Sequence, residues 1–340
     1  MTTGIIATPS RTDSWNYVYT QAAQNLLRPE YTDNVYKGRP LLMLLRERGK
    51  KTTGGRYLVE RVNLGITAPG GSYAKGTKMD LIDVDPFTAA RYEWAYYRTP
   101  VVIYFQDEHQ ATSPEGRVRI SQDKTSEAVE GLMDIVNDDL CSTSKAVSTD
   151  LNTLIEAIPA DPTSSGAFGQ LDGAAASQPG WRNQYYTTST DFSAAGLTAL
   201  RNQILAASQG GKYQHDVVLL DQTRFGEFLD LSDQKHSINT NFATKGGTKV
   251  ADLGAGATSA AFMGRPVIWD AKWDEKQSGK ALILNLDGIQ LVEDSKHAWQ
   301  VTDFKDTLVG GVDARVAWVR WVGQLTVSNR RTQAILTTLT

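Results

Sequence analysis

Four histidines and one cysteine, Cys141, are the residues from which a metal centre or a nucleophile would be built. His109, His215, His236 and His297 stand alone, with no second His or Cys at ligand spacing, so the pattern offers no zinc site. Asp80, Asp83 and Asp85 gather three carboxylates within six positions, the raw material of a hard-cation site. Their spacing matches no calcium loop, and a solvated or arginine-paired acidic edge fits better. Asp138-Asp139 is a paired carboxylate, but nothing places a substrate beside it. Gly254-Ala-Gly256 lacks the third glycine of a dinucleotide fingerprint. Gly246-Gly247, between Lys245 and Lys249, lacks the spacing of a phosphate loop. No Gly-x-Ser-x-Gly elbow occurs. The residue types therefore give no recognisable catalytic group, cofactor or metal site.

The elements that would position an associating surface are clearer. From Ser113 to about Ser142, Ala128, Val129, Leu132, Ile135, Val136 and Leu140 recur at helical spacing. Ser113 is a suitable N-cap, and Pro114 suits the first helical position. Gly116 and Gly131 weaken the helix slightly. On its polar face Glu127, Glu130, Asp134 and Asp138 form a row of like charge, unfavourable by ~0.2–0.5 kcal/mol per pair. Either that row is a solvated face, or Arg and Lys side chains of a neighbouring copy lie across it.

Two β-patterned stretches accompany the helix, Arg91–Gln106 and the tail from Val309. In the tail Val316, Trp318 and Arg320 alternate with Ala317, Val319 and Trp321, and Gly323 allows a bend. The tail is expected to pair with Arg91–Gln106. Residues 51–98 read as a hairpin with its apex at Ala68-Pro69-Gly70-Gly71, either projecting or folded back on its own domain. Residues 1–35 carry Trp15, Tyr17 and Tyr19, a small apolar patch with no core of its own, with a short helix possible over Ser14–Leu27. Pro40–Glu47 is a short helix ended by Gly49. Between helix and tail lies an α+β region. It has helical spacing over Asp191–Gly210, a buried strand at Asp216–Leu220 and a helix over Asp221–Leu231. Strands follow at Phe262–Trp269, Ala281–Leu286 and Gly288–Glu293, with a turn at Lys272–Gly279.

Bulk composition sets limits. The 340 residues suffice for about two domains. At 41% hydrophobic and 21% charged the chain is ordinary for a globular protein, and net charge −3 argues against binding nucleic acid through bulk charge. A lone cysteine excludes an intrachain disulfide, and beside Leu140 it reads as a small buried hydrophobe. The longest apolar runs, Leu41–Leu45 and Val101–Phe105, have five residues against the ~20 of a membrane span, so no membrane partner is expected.

At the tail the sequence meets a family. Trp321-Val-Gly-Gln-Leu-Thr-Val-Ser-Asn-Arg-Arg-Thr-Gln-Ala-Ile-Leu336 resembles the closing strand of major capsid proteins of tailed double-stranded DNA bacteriophages. Phe262-Met-Gly-Arg-Pro-Val-Ile-Trp-Asp270, Leu284-Asn-Leu-Asp287 and Trp181-Arg-Asn183 are similar to other motifs of that family. The resemblance implies an α+β, Hong Kong 97-type capsid fold. It would comprise an N-arm (1–50), an extended E-loop (51–98), a P-domain (99–150 and 306–340) with a spine helix at about 114–142, and an A-domain (151–305).

The function so implied is self-assembly into an icosahedral head shell holding packaged DNA, built of hexamers and pentamers in the host cytoplasm and resident in the virion. Separate scaffolding, decoration and portal proteins would be further partners, and DNA would be contacted weakly. No charged, heptad-rich leader precedes the arm, so scaffolding would be a separate protein. Candidate inter-subunit contacts are Trp15, Tyr17 and Tyr19 on the arm, and Pro69, Lys75, Lys78, Asp80, Asp83 and Asp85 on the loop. Glu127, Glu130, Asp134 and Asp138 on the helix complete the set. Some family members cross-link an E-loop lysine to a P-domain asparagine; Lys75, Lys78 and Asn329 occupy such places, without a matching local motif. Two alternatives stay open: an encapsulin-like compartment enclosing protein cargo, and a soluble enzyme with a pocket near Ser232–Thr258.

Overall fold

The computed structural model describes residues 38–64, 72–76, 78, 87–110, 114–175, 178–187, 194–233, 261–306 and 313–337. All belong to one unit, 38–340. In chain order the first elements are α1 (Pro40–Glu47), β1 (Lys50–Thr52), β2 (Leu58–Asn63), β3 (Phe87–Tyr92) and β4 (Ala95–Tyr104). Next come α2 (Phe105–Gln110), α3 (Pro114–Cys141), α4 (Leu154–Ala157), β5 (Gln184–Thr187), α5 (Ala194–Ala207), β6 (Val217–Leu220) and α6 (Gln222–Asp233). Last are β7 (Ala261–Phe262), β8 (Arg265–Trp269), α7 (Ala271–Gln277), β9 (Ala281–Leu284), β10 (Ile289–Asp294), β11 (Gln300–Val301), β12 (Lys305–Asp306), β13 (Ala314–Val327) and β14 (Ala334–Thr337).

The tail strand β13 organises the first sheet. It pairs antiparallel with β4 from Ala314↔Tyr104 to Gly323↔Ala95, the pairing expected from the sequence. On its other side lie β10, β11 and β12, and β1 adds in parallel to β10. Arg91–Gln106 is not one strand, however. The chain leaves β3 at Tyr92 and enters β4 at Ala95, with Trp94 buried and its Nε1 donating to the Gly55 carbonyl at 2.9 Å. Pro100 is tolerated because β4 lies at the edge of this sheet among the described residues.

Across this sheet runs α3, about 42 Å long at ~1.5 Å per residue. Ala128, Leu132, Val136 and Leu140, one turn apart, are buried together with Cys141. The stripe is narrower than expected, because Ile135 is exposed. Tyr97 of β4 clips helix to sheet. Its hydroxyl donates to Asp139 at 2.6 Å and accepts from the Leu151 amide at 2.8 Å. The helix α1 closes the other end, with Leu41, Leu42, Leu44 and Leu45 buried. Arg46 of α1 lies 4.6 Å from the Trp299 ring centroid, and the Trp299 and Trp321 indoles both donate to Glu293 at 3.0 Å.

The second sheet runs β5-β14-β9-β6-β8-β7. Its central strands β6 and β9 are buried at every position, as an unbroken aliphatic run predicts. The sheets exchange strands across the expected segment boundaries. β10, inside 151–305, joins the β13 sheet, while β14, inside 306–340, joins the second sheet. Short buried runs of Ile, Leu and Val carry no mark of which sheet they enter. Two local expectations are corrected. Phe262–Trp269 is a hairpin, turned at Met263 and Gly264 with φ of 51° and 78°. Lys272–Gly279 is not a turn but lies largely in α7, which Asp270 caps by accepting from the Lys272 amide at 2.9 Å.

Candidate assembly interface

The acidic row on α3 does not stand bare. Arg39, just before α1, is buried and donates from Nε to Asp134 at 2.5 Å and from Nη2 to the Glu130 carbonyl at 3.2 Å. Lys276 of α7 pairs with Asp138, and Lys272 lies 3.6 Å from the same carboxylate. Basic side chains thus cross Asp134 and Asp138 from the same chain, where the expectation was either a solvated face or side chains of a neighbouring copy. The glutamates Glu127 and Glu130 are exposed. Asp138 and Asp139 turn to opposite sides, one to the lysines of α7 and one to Tyr97, and so form no acid–base dyad. Burial raises the Asp139 carboxyl above its usual range, against the lowering hydrogen bond from Tyr97.

The hairpin β2–β3 has two unlike faces. Leu58, Val62, Ala90 and Tyr92 are buried on the body of the molecule. The Tyr92 hydroxyl donates to the Val327 carbonyl at 2.8 Å, and its ring lies 5.4 Å from that of Phe168. The base of the hairpin is therefore folded back, not projecting. The opposite face leaves Val59 56% and Phe87 62% exposed, with Arg61 and Arg91 beside them. Lys75 and Lys78 are exposed. Trp15, Tyr17, Tyr19, Pro69, Asp80, Asp83 and Asp85 lie outside the described residues, as do Ser113, the helix over Ser14–Leu27 and most of Ser232–Thr258. The outer face of the first sheet adds a surface missed in the sequence. There Tyr96 is 63% exposed and Arg98 stacks 4.8 Å from the Trp318 ring centroid. Strict alternation along β4 is the signal that could have found it.

The motifs that carried the family resemblance converge in the interior. Arg330, fully buried, donates to the carbonyls of Ala157 at 2.8 Å, Glu156 at 3.2 Å and Trp181 at 3.4 Å. Its guanidinium lies 5.3 Å from the Phe168 ring centroid. Burial lowers its pKa to about 10, so it stays charged at neutral pH. Asn183 donates to the Pro159 carbonyl at 3.0 Å, and Gln333 bridges the backbone of Asn285. These hydrogen bonds tie the chain after β13 to the carbonyls of Glu156, Ala157 and Trp181, and Asn183 to that of Pro159. Among the described residues no three metal-ligating side chains converge, and no helix is long and apolar enough to cross a membrane.

No protein-family model and no curated protein matches this sequence. Solved structures do match its fold. A chain of the cyanophage A-1(L) capsid asymmetric unit superposes with a TM-score of 0.66 at 15% identity, covering 92% of this chain and 96% of that one. A chain of the native GTA particle capsid gives 0.58 at 10% identity, covering 94% and 99%. The holo-SrpI encapsulin complex of Synechococcus elongatus PCC 7942 gives 0.52 at 14% identity, covering 94% of each chain. The architecture is the α+β Hong Kong 97-type capsid fold, as the tail motifs implied. The chain spans nearly the whole length of each of these shell subunits.

Proposed function

We propose that this chain is a major capsid protein, whose identical subunits form hexamers and pentamers of an icosahedral head shell around packaged double-stranded DNA. The observation that carries this reading is the end-to-end likeness to the cyanophage capsid subunit. The exposed apolar surface at Val59 on the hairpin supports it, since apolar area left to solvent favours association. The work of such a protein is association and involves no catalytic step. Each subunit makes many modest contacts, and symmetry repeats them until the shell closes. Within this reading the arm residues Trp15, Tyr17 and Tyr19 and the loop residues Pro69, Lys75, Lys78, Asp80, Asp83 and Asp85 contact neighbours. Exposed Glu127 and Glu130 do the same, with a smaller part for Asp134 and Asp138, which have partners in their own chain. Scaffolding, decoration and portal proteins are further partners, assembly proceeds in the host cytoplasm, and a net charge of −3 suits weak contact with DNA.

The test is electron microscopy of the purified chain, with nucleic-acid content measured on any particles. Closed shells from infected cells that contain DNA are expected. Protein-filled, DNA-free shells would instead support a nanocompartment, the reading favoured by the likeness to the encapsulin complex. A monomer that forms no particle under any assembly condition would defeat both.

A further inference from the structure

Two buried oxygens where α3 meets α7 lack a hydrogen-bond donor: Asn137 Oδ1, near the end of α3, and Asp270 Oδ2, at the start of α7. Both residues are 1% exposed. They form one pair, because Asn137 Nδ2 donates to Asp270 Oδ1 at 3.3 Å. Each fork therefore has one arm in use and one idle. An amide carries donors on one arm only and an ionised carboxyl carries none, so the idle oxygens cannot satisfy each other. Protonation of Asp270 supplies an O–H, and acid and amide can then exchange two hydrogen bonds. Around this pair α7 is fastened to the last turn of α3, whose carbonyls have no partner within the helix. Lys276 donates to the Asp138 carbonyl at 3.3 Å and to the Ser142 hydroxyl at 2.9 Å. Gln277 donates to the Cys141 carbonyl at 2.9 Å. The helix α3 crosses the first sheet, and α7 connects β8 to β9 of the second, so the joint links the two.

We propose that this joint is a proton-operated latch: one proton taken up by Asp270 completes its pair with Asn137 and holds α7 on α3 more tightly in mild acid than at neutral pH. The charges around Asp270 do not satisfy it instead. Lys272 and Lys276 turn to Asp138, and Glu275 takes the other side of Lys272. Asp274 accepts from the Gln222 amide. From the start of α1 come the Leu41 amide, which leaves Oδ2 unserved, and Arg39, which is held by Asp134. Cys141, also at the joint, is a neutral thiol because burial raises it. Burial likewise raises the Asp270 carboxyl above its usual 3.8. The closed joint then binds the proton more tightly than an open one, in which Asp270 is solvated. The gain is complete below 3.8 and is lost as pH rises through the raised value.

Cys141 is the lone cysteine, is fully buried at the joint, and reports its opening. Dissociated full-length subunits are labelled with dithiodipyridine, which reacts in acid, over a series from mildly acidic to neutral pH. Each rate is divided by that of the urea-unfolded chain at the same pH, which removes the change in thiolate fraction. In the unmodified chain the quotient should fall several-fold on acidification. In Asp270→Asn, whose amide supplies the missing hydrogen at every pH, it should be low and flat. A quotient that is flat or rises in acid in the unmodified chain would overturn the proposal. So would a fall that persists in Asp270→Asn, which would assign the proton to Asp138 or Asp139. The contact itself is read by infrared difference spectra between the two ends of the pH series. A protonated carboxyl band should appear in the unmodified chain, vanish in Asp270→Asn and shift in Asn137→Leu. A band that Asn137→Leu leaves in place would show that the proton is not held by Asn137, and would overturn the latch.

Discussion

The Arg330 guanidinium carbon lies 5.7 Å from the centroid of the Trp181 ring, and its Nη1 donates to that residue's carbonyl oxygen. A charge is thus held in the interior by ring faces and backbone oxygens, without a carboxylate. It ties the end of β13 to α4 and to the turn Pro179–Trp181. Arg330→Ala removes three donors from buried carbonyls and opens a cavity, so a loss of about 3 kcal/mol is expected. Arg330→Lys restores little, because an ammonium cannot reproduce the planar fork. Exposed Arg331→Ala should lie within about 0.5 kcal/mol of the unmodified chain. Urea denaturation of dissociated subunits measures all three.

Two glycines should respond to alanine with opposite signs. A Cβ at Gly323 would meet a Trp321 ring carbon at 2.6 Å and the Val292 carbonyl oxygen at 2.9 Å. Gly323→Ala is expected to cost about 1–3 kcal/mol by overpacking. At Gly131, inside α3, a Cβ meets nothing within 4 Å. Gly131→Ala should stabilise by about 0.5–1 kcal/mol through helix propensity. Thermal melting of both variants decides; equal shifts would refute the packing assigned to Gly323.

The pair Arg39–Asp134 joins α3 to the start of α1, with the Asp134 side chain 38% exposed. Solvent screens such a pair, so a double-mutant cycle of Arg39→Ala and Asp134→Asn should give a coupling of only about 1 kcal/mol. The coupling should shrink in molar salt. Arg39→Ala alone should cost more than the coupling, because its buried stem packs against the helix.

Asp270 caps α7 from a buried position, and burial raises its carboxyl above the usual 3.8, outweighing the hydrogen bonds from Lys272 and Asn137. A raised folded-state value means that the folded chain binds the proton more tightly than the unfolded one. The stabilisation from protonation is complete below 3.8 and is lost as pH rises through the raised value. Asp270→Asn keeps a capping oxygen and cannot ionise. Relative to the unmodified chain it should therefore gain stability as pH rises across that window, as read from denaturation midpoints at a series of pH values. A pH-independent difference would show that Asp270 does not titrate there.

Cys141 is fully buried, and burial drives its thiol well above its ordinary value. In native subunits it should resist a thiol-specific reagent at neutral pH, since the thiolate is the reactive form. One equivalent should react on unfolding in urea. Immediate labelling of the native chain would contradict the packing of α3 on the sheet.

The sequence alone determined most of the helices and strands and the apolar faces of the longest ones, though not α7 or the break between β3 and β4. The spacing of Ala128, Leu132, Val136 and Leu140 set the buried stripe of α3, and the alternation around Trp318 set β13. These follow from residues a few positions apart, through the geometry of one helix turn or one pleat. The tertiary structure decided what chain separation hides. The runs Ile289–Asp294 and Ala334–Thr337 both bury aliphatic side chains, and only closure of the chain sends one to each sheet. It also decided that Arg39, 95 residues away from Asp134, answers the acidic row, and that Arg330 turns inward while Arg331 faces out. No local pattern encodes such pairings, because the partners meet only when the loops between them have closed.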